Sequence, residues 1–475
     1  MAHSDAPPLR NPGRAYGGYL QRSLPDVDQE ITRVGPDTPL GEYFRRFWQP
    51  VCLSQQLGEV PLAIRILGED LVAFRDRSNR GGILARHCCH RGASLEFGII
   101  QDRGLRCCYH GMHFDVDGRL LDVPTEQDHG ARLSGTVYQA AYPAQERDGL
   151  VFCYMGPPDN VPPFPEWDAF DKYDDTRLVP FSNSYPCNWL QVTENIADQL
   201  HTAILHQPAQ ALYGGKAPDG LDVDAFTVKA FETVPVIDYV SVRDGAALAF
   251  VAGRRINDEL VWWRINECAL PNMTHHAYIF EDGEQRRLFH RVHLSRWHVP
   301  VDDTNTIIFG WRMFGSTIDP RALGREDRVG IEDMDFLEGQ VGNRPYAEQQ
   351  RLPGDWEAIV SQRPIAIHAL ENPIASDVGV YLFRRILRDA VRGLNRGGQS
   401  ETMTERLVSG YPLHTYTQNT VLQLRRRVDS KDDAELIRSI GKQIIEATRK
   451  ADHLIGAERR RFVEAALEEI ERANA

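Results

Sequence analysis

The sequence predicts an α+β protein in which a small antiparallel β domain is followed by a larger domain with an antiparallel sheet flanked by helices. The length of 475 residues is more than one small core needs, which favours at least two domains. Short apolar segments separated by glycine- and aspartate-rich turns fill the first third of the chain and are typical of strands. Helical patterns then precede and follow a long run of strand-like segments.

Composition and charge exclude several classes of protein. The chain has 42% apolar and 25% charged residues, which is ordinary for a globular protein. It has no long apolar run and no apolar signal core near its start, so we expect a cytoplasmic protein without a membrane span. The net charge of −13 makes nucleic acid and anionic membranes poor partners. Four of the eight cysteines form two adjacent pairs, which indicates a metal site rather than disulfides.

The amino-terminal part is predicted to contain an arm over residues 1–40 and a β domain over residues 41–158. Residues 41–51 carry aromatic side chains at helical spacing, which predicts a short amphipathic helix. Proline-rich residues 156–165 indicate a linker to the next domain. The strand candidates are residues 63–67, 71–75, 83–87 and 150–155.

The larger domain is predicted over residues 159–430, with a helical extension over residues 431–475 that holds two amphipathic helices. Its first element is a helix at residues 188–207. Pro208 ends this helix, because proline lacks the N–H group and disfavours helical geometry in the residue before it.

The sheet of the larger domain is predicted from residues 226–314, where strand-forming and aromatic residues dominate. Hairpin turns are indicated at Asn257-Asp258 and at Asp282-Gly283. Helical patterns return after this run, and they cover residues 355–369 and 379–392.

The stretch between Cys88 and His110 carries the strongest chemical signal. It contains Cys88-x-His90 and, after a gap of sixteen residues, Cys107-x-x-His110. In a Rieske-type [2Fe–2S] cluster two thiolates hold one iron and two neutral imidazoles hold the other, which raises the reduction potential. The pattern therefore predicts that these four residues bind such a cluster.

Four cysteine and histidine ligands could also hold a structural zinc ion. The nearby Gly92 and Gly111 favour the cluster, since glycines let backbone amides approach the sulfurs and donate hydrogen bonds to them. Tyr109 could add another donor. The neighbouring Cys89 and Cys108 are predicted to be bystanders, because using either as a ligand would break one of the two spacings.

The residues around both pairs resemble the Rieske non-haem iron oxygenases. The resemblance rests on His-Arg-Gly-Ala-Ser-Leu at 90–95 and on Phe-Asp-Val-Asp-Gly at 114–118. It extends from about residue 32 to residue 390, and residues 376–387 resemble the phthalate 4,5-dioxygenase-like and aryl O-demethylase branch. It implies an oxygenase (alpha) subunit whose catalytic domain has a helix-grip-like fold. The family usually has tryptophan where this chain has Met112, so packing near the cluster is expected to differ.

A second metal site is indicated by Asp198, His201 and His206. Asp198 and His201 would share one face of a helix, whereas a regular helix would turn His206 about 140° away from His201. We therefore expect a widened, π-type turn that directs both histidines to one metal. Two histidines and one carboxylate form the facial triad of non-haem Fe(II) oxygenases. The spacing alone is a weak signal, but it matches the D-x-x-H-x-x-x-x-H motif of the same family.

The carboxylate ligand must come from a distant part of the chain. The family places it at the start of a late helix, and this resemblance favours Asp355, which opens the sequence Asp-Trp-Glu-Ala-Ile-Val. Asp333 and Asp335 are the next choices. An ordinary helix-capping role for Asp355 is the alternative explanation. The full set of candidates is Asp333, Asp335, Asp355, Glu357, Glu371 and Asp377.

The resemblance also implies how electrons reach the second metal. Asp198 is expected to be catalytic without being a ligand, bonding to His201 and to the cluster ligand His110 of a neighbouring subunit. This requires a head-to-tail homo-oligomer, commonly a trimer or stacked trimers. The chain has no G-x-G-x-x-G after a strand, so a separate NAD(P)H-dependent reductase is expected, with or without a ferredoxin.

The function predicted from these observations is that of a terminal oxygenase component. It would use O₂ to hydroxylate, dihydroxylate or O-demethylate an aromatic substrate that carries a carboxylate or methoxy group. Its cofactors would be one [2Fe–2S] cluster and one mononuclear Fe(II) per chain. The alternatives are a Rieske electron-transfer protein without catalytic iron and a zinc-stabilised binding module.

Overall fold

The structure, a computed structural model, describes residues 14–21, 23–171, 175–206, 233–278, 286–335, 339–395 and 413–474. No helix in these ranges is long and apolar enough to cross a membrane. Three predicted features lie outside them: the end of the first long helix at Gln207 and Pro208, residues 226–232 of the strand run, and the hairpin at Asp282-Gly283.

Three small antiparallel sheets form the first part of the described chain. Their strand orders are β1-β11-β10, β2-β3-β4-β9 and β5-β6-β7-β8. The strands are β1 (Trp48–Leu53), β2 (Leu62–Ile66), β3 (Glu69–Arg75), β4 (Gly81–Ala85), β5 (Ile99–Ile100), β6 (Leu105–Arg106), β7 (His113–Phe114), β8 (Leu120–Asp122), β9 (Ala141–Tyr142), β10 (Ala144–Arg147) and β11 (Leu150–Tyr154).

One large antiparallel sheet dominates the second part. Among the described residues it has nine strands, in the order β12-β19-β18-β16-β15-β14-β13, with β20 paired to β15 and to β17. The strands are β12 (Arg177–Tyr185), β13 (Val236–Val242), β14 (Ala247–Arg255), β15 (Leu260–Ala269), β16 (Met273–Ala277), β17 (Arg287–His290), β18 (Val292–Asp302), β19 (Asn305–Phe314) and β20 (Gln418–Gln423).

Helices precede, cover and follow the large sheet, which confirms the predicted α+β class. The α-helices of the described chain are α1 (Gln29–Thr32), α2 (Pro39–Phe44), α3 (Trp189–Ala197), α4 (Thr202–Leu205), α5 (Tyr346–Arg351), α6 (Asp355–Val360), α7 (Val378–Asn395), α8 (Ser430–Lys450) and α9 (Gly456–Asn474). The helical pattern at 379–392 and the two carboxy-terminal helices are therefore confirmed.

Two predicted helices are shorter in the structure. The helix predicted at 41–51 ends at Phe44, and the residues from Trp48 onward form β1, which includes Pro50. All six residues of β1 are buried, so the aromatic spacing reflects a fully buried strand rather than one face of a helix. The helix predicted at 355–369 ends at Val360, shortly before Pro364. Proline disfavours helical geometry in the residue before it, and Arg363 has a φ of 89°.

The two faces of the large sheet contact different parts of the protein. On one face, His298 of β18 hydrogen-bonds Thr193 of α3 at 2.8 Å. On the opposite face, Phe152 of β11 packs against Trp297 and Trp311, with ring centroids 5.4 and 5.9 Å apart. Aromatic pairs of this kind stabilise a fold by about 0.5–1.5 kcal/mol beyond their burial. The small sheets thus pack behind the large sheet, and α3 lies in front of it.

The carboxy-terminal helices pack on the large sheet. The indole N–H of Trp263 in β15 donates to the carbonyl of Ile437 in α8 over 3.2 Å. A methyl group added at Gly253 of β14 would come within 2.3 Å of the Ile437 side chain, so this glycine permits the close approach of the helix. Ile437, Ile440 and Ile444 are buried along α8, as its amphipathic pattern predicts.

Candidate metal centres

The segment that carries Asp198, His201 and His206 is a broken helix. α3 ends at Ala197, Asp198 has an extended backbone (φ −92°, ψ 91°), and α4 begins after His201. The Asp198 carboxylate accepts hydrogen bonds from the amides of Leu200 at 3.1 Å and His201 at 3.4 Å. A short acidic side chain that binds nearby amides competes with helical hydrogen bonds, which explains the break. The π-type turn predicted between His201 and His206 is wrong, because the amide of Leu205 donates to the carbonyl of His201 at 2.7 Å, an ordinary α-helical bond.

The break directs His201 and His206 towards Asp355. Oδ1 of Asp355 lies 3.3 Å from Nε2 of His201 and 3.4 Å from Nε2 of His206. Three ligand atoms at about 2.1 Å from one ion, in a facial arrangement, would be about 3.0 Å apart, so the observed spacing fits a bound metal. Among the described residues, these three form the only group of three or more acidic, histidine or cysteine side chains close enough to share an ion.

The other acidic candidates have different partners in the structure. Asp335 forms a bidentate ion pair with Arg312, and Asp333 pairs with Arg328. The remaining three carboxylates also make structural contacts. Glu357 pairs with Arg344, Glu371 pairs with Arg384, and Asp377 accepts from the amide of Ile374.

Each oxygen of the buried Asp355 carboxylate is held by a side-chain amide. Gln340 donates from Nε2 to Oδ2 over 2.7 Å, and Asn195 of α3 donates from Nδ2 to Oδ1 over 3.2 Å. Burial raises the pKa of the Asp355 carboxyl, but the imidazoles of His206 and His201 more than offset this and hold that pKa well below its usual range. A buried carboxylate that stays charged beside two imidazoles is a suitable metal ligand.

The orientation of His201 is fixed by a main-chain group. Its Nδ1 hydrogen-bonds the carbonyl oxygen of Asp198. Because a ring nitrogen that donates to a carbonyl carries the proton, Nε2 keeps its lone pair on the side of Asp355. A contact between Asp198 and the imidazole of His201 was expected, and the main-chain carbonyl of Asp198 makes it. The Asp198 carboxylate binds backbone amides instead.

A buried ion-pair network holds α3 beside the site. Arg384 of α7 makes a bidentate contact with Glu194, at 2.5 and 2.7 Å, and contacts Glu371 at 2.7 and 2.8 Å. Burial lowers the pKa of the Arg384 guanidinium, but its two carboxylate partners more than offset this and raise that pKa. Glu194 directly precedes Asn195, so this network positions the helix that contacts Asp355.

The four predicted cluster residues lie in two loops of the same construction. Gly92 donates its amide to the carbonyl of Cys88 at 2.9 Å, and Gly111 donates to the carbonyl of Cys107 at 3.1 Å. Both glycines have positive φ, 74° and 76°, which glycine adopts without strain. The two amides therefore close the loops, and the backbone of His90, inside the first loop, hydrogen-bonds the Cys88 thiol.

The loops present the sulfur atoms inside and the imidazoles outside. Cys88 and Cys107 are buried, and burial raises the pKa of the Cys88 thiol to about 12, with the nearby Cys107 adding to the effect. The rings of His90 and His110 are 4.7 Å apart between centroids, and His90 is exposed. This division into a thiolate pair and an imidazole pair is what a cluster with differently ligated irons requires.

The same arrangement does not fit a zinc site. Four atoms bound to one tetrahedral zinc would be about 3.3–3.8 Å apart, given Zn–N and Zn–S distances of about 2.0 and 2.3 Å. No three of these four cysteine and histidine side chains approach closely enough to share an ion. Cys89 and Cys108 are both exposed, and Met112 is buried with the apolar residues around the two loops.

Comparisons with known proteins identify the family. Residues 47–143 match the Rieske [2Fe-2S] domain. The chain is 49% identical over 463 residues to the tert-butanol monooxygenase / tert-amyl alcohol desaturase oxygenase subunit of Aquincola tertiaricarbonis, and the match covers 97% of each chain. The chain belongs to the Rieske non-haem iron oxygenases. It is an oxygenase subunit of that family, as the resemblance implied.

Further comparisons agree with this membership. The Rieske oxygenase subunit is 34% identical over 399 residues to the phenoxybenzoate dioxygenase subunit alpha of Ectopseudomonas oleovorans, covering 81% of this chain and 89% of the relative. A solved structure of the Pseudomonas putida CBB5 NdmA QL mutant with caffeine has the same fold, with a TM-score of 0.54 and 20% identity. That match covers 78% of this chain and 97% of the other.

Family membership confirms the predicted activity and cofactors. This subunit is an oxygenase that uses a [2Fe–2S] cluster and a mononuclear non-haem iron. The alternative of an electron-transfer protein without catalytic iron is not supported. Two residues near the proposed metal ligands were not predicted. Asn195 lies three residues before the D-x-x-H-x-x-x-x-H motif, whereas no sequence signal pointed to Gln340.

Proposed function

We propose that His201, His206 and Asp355 bind the mononuclear iron of this Rieske oxygenase. The observation that supports the assignment is the approach of one oxygen of Asp355 to Nε2 of both histidines, at 3.3 and 3.4 Å. When bound there, the iron supplies the reductive activation of O₂ at coordination positions that the triad leaves open. The main-chain carbonyl of Asp198 keeps His201 oriented, and Gln340 and Asn195 keep the carboxylate in place.

The proposed cluster ligands are Cys88, His90, Cys107 and His110. The burial of both thiols and the outward position of the imidazoles support this assignment. Cysteines on one iron and histidines on the other would place the reduced iron at the imidazole side, where an electron leaves towards an acceptor. His110, which is partly exposed, is the imidazole proposed to face that acceptor.

The electron is proposed to pass to the iron of a neighbouring subunit in a head-to-tail ring, most simply a trimer. Asp198 is the proposed bridge between His201 and the neighbour's His110. An exposed apolar side chain lies beside each of the two proposed metal sites. Tyr109 is 57% exposed beside the cluster, and Ile204 is 72% exposed beside the iron site. In the proposed ring both side chains would be covered by the neighbouring subunit.

The reaction is proposed to be the hydroxylation, dihydroxylation or O-demethylation of an aromatic compound that carries a carboxylate or methoxy group. Electrons would come from a separate NAD(P)H-dependent reductase, directly or through a ferredoxin. The relative from Ectopseudomonas oleovorans, named for phenoxybenzoate, supports an aromatic substrate. Apolar side chains also lie between the sheet and the helices of the iron site, among them Leu294 of β18 and Val192 of α3.

A second candidate substrate is a tertiary alcohol. The relative from Aquincola tertiaricarbonis, named for tert-butanol and tert-amyl alcohol, is 49% identical over nearly the whole chain, and this observation favours the candidate. Both candidates use the same iron site and differ in the charge and aromaticity of the bound molecule.

Metal analysis and oxygen uptake test the proposal. The purified subunit should be red-brown and contain about three irons per chain, two in the cluster and one at His201, His206 and Asp355. With a surrogate reductase and NADH, O₂ uptake and product analysis should reveal oxidation of aromatic acids, aryl ethers or tert-butanol. Two irons per chain and no substrate-dependent O₂ uptake would contradict the proposed function, and a colourless zinc protein would contradict both sites.

A further inference from the structure

Three arginines lie on the face of the large sheet that is turned towards the iron site. Strand register places them together. Arg254 of β14 pairs with Trp262 of β15, and Trp262 lies two residues from Arg264. His276 of β16 pairs with Leu294 of β18, and Leu294 lies two residues from Arg296. Paired residues and residues two apart share a face of a sheet. The face is directed at the metal ligands, since Nη2 of Arg254 bonds the hydroxyl of Thr202, directly after His201, at 3.3 Å.

Arg296 is buried on this face and has one hydrogen-bond partner among the described residues. It is 6% exposed, and among the described residues its guanidinium donates only to Nε2 of His276, at 3.2 and 2.9 Å. His276 accepts these bonds as a neutral imidazole, because burial and the nearby guanidiniums hold its pKa well below the usual range. His276 therefore gives Arg296 a hydrogen-bond partner but no counter-charge.

Among the described residues Arg296 makes no ion pair, and Asp355 is a carboxylate whose charge acts on it from a distance. Burial lowers the pKa of the Arg296 guanidinium, and Tyr185 and Asp355 act in the opposite direction. Asp355 is already shared between His201, His206, Asn195 and Gln340. A buried cation whose nearest carboxylate is committed to a metal is costly unless another anion joins it.

The neighbouring arginines increase the positive potential. Burial lowers the pKa of Arg254 to about 10 and that of Arg264 to about 9, and both remain charged at neutral pH. Arg254 and Arg296 contribute to the lower pKa of Arg264, which means that the three charges are close enough to repel one another. A group of cations beside a metal ion attracts an anionic molecule more strongly than a neutral one.

We propose that Arg296 binds the carboxylate of an aromatic acid substrate and holds its ring between the large sheet and the iron site. The planar guanidinium matches a carboxylate with two parallel N–H···O bonds, which fixes orientation as well as charge. This inference rests on the proposed function and favours aromatic acids among the substrates proposed there. A tertiary alcohol or a neutral aryl ether would leave the buried cation without a counter-ion, so the site discriminates against such compounds.

Binding to the resting, iron-loaded enzyme tests the inference without turnover. Benzoate and phenoxybenzoate, with benzamide, phenoxybenzamide and tert-butanol as neutral probes, would be titrated by calorimetry against the wild type, Arg296→Met and Arg296→Lys. The wild type should bind each acid at least about 10-fold more tightly than its amide. Arg296→Met should weaken acid binding about 100-fold and leave amide binding nearly unchanged. Arg296→Lys should restore part of the preference, since it keeps the charge but loses the planar fork.

A purely structural role of Arg296 has a different signature. If the arginine only supported His276, Arg296→Met would weaken acids and amides equally, and thermal unfolding would report the damage. Equal binding of acid and amide by the wild type, no saturable binding of either acid, or an acid preference that survives in Arg296→Met would each overturn the inference.

Oxygen uptake with the same probes separates this inference from the proposed function. Acid-selective binding without O₂ uptake for any probe would support the anion site and contradict the proposed oxidation of aromatic acids. Uptake with the amides or tert-butanol, together with equal binding of acids and amides, would support the oxygenase function and overturn the role of Arg296.

Discussion

Gln340 donates a 2.7 Å hydrogen bond to the Asp355 oxygen that is not directed at the two histidines. The main-chain carbonyl of Gln340 accepts from the hydroxyl of Tyr185 at 2.8 Å, so both the backbone and the side chain of Gln340 are held in place. Replacing Gln340 with leucine should therefore let the carboxylate rotate and weaken iron binding about 10- to 100-fold. Iron retention during titration with a chelator, followed beside the cluster absorbance, measures this effect. The exposed Gln362→Leu serves as a control, and equal iron retention in both variants would contradict the role of Gln340.

Asp355→Ala should remove the mononuclear iron and leave the cluster intact. The substitution deletes the only carboxylate of the described residues that approaches both His201 and His206. Metal analysis should fall from about three irons per chain to about two, with an unchanged cluster spectrum. Asp333→Ala is the matched control, because Asp333 pairs with Arg328 and should not affect iron content. Full occupancy in Asp355→Ala would move the assignment to another carboxylate.

Asp198→Asn should keep both metals and lose coupled turnover. Asparagine retains a side-chain oxygen for the amides of Leu200 and His201, and the main-chain carbonyl that orients His201 is unaffected. What the variant loses is the charge proposed to link the iron site to the neighbouring cluster, and product formation should fall at least about 10- to 100-fold. Stopped-flow reoxidation of the reduced cluster in the presence of substrate measures the transfer step. Reoxidation at the rate of the wild type would contradict the proposed bridging role of Asp198.

Arg384→Met should destabilise the protein strongly. It leaves Glu194 and part of Glu371 buried without their cation, and removing one member of a buried ion pair costs about 3–5 kcal/mol. Chemical denaturation followed by fluorescence gives the change in the free energy of unfolding. The exposed pair of Arg325 and Asp327 provides a control, since Arg325→Met should change stability little. Similar stability of both variants would show that the buried network does not hold α3 in place.

Asp168 should make stability sensitive to acid. Burial raises the pKa of this carboxyl, but His414 and the nearby arginines more than offset the effect and hold that pKa far below its usual range. Because the pKa is lower in the folded state, the stabilisation is fully present above about pH 4 and is lost as the pH falls further. The difference in denaturation midpoint between wild type and Asp168→Asn should be largest near neutral pH and shrink in acid. A difference that stays constant with pH would contradict this account.

Most of the proposed ligands could be chosen from sequence because their spacing is local. Cys88 with His90, Cys107 with His110, and His201 with His206 each lie within a few residues, and loops or a broken helix preserve such spacing. Asp355 was chosen by resemblance, since no local pattern connects it to His201. The interruption of α3 was not predicted, because it depends on how the Asp198 carboxylate competes for two backbone amides.

Contacts made by tertiary packing could not be predicted from the chain alone. Gln340 reaches Asp355 across a turn that has no sequence signature. Arg296 faces the iron site only because β16 and β18 pair in one particular register, and a shift by one residue would direct it to the opposite face. The strand at Trp48 was taken for a helix because burial on both faces removes the alternation that identifies a strand.

An iron ion at the proposed site would also hold two distant parts of the chain together. Two of its three proposed ligands belong to one short segment, and the third lies about 150 residues further along the chain. An ion bound by both ends would connect these distant parts of the chain, and because the site does not exist in the unfolded chain, the free energy of metal binding would add to the stability of the fold. Loss of the ion should release α6 from α4 before the rest of the sheet loosens. The iron therefore closes the fold as well as serving the reaction, and its removal should be visible as faster proteolysis near α6.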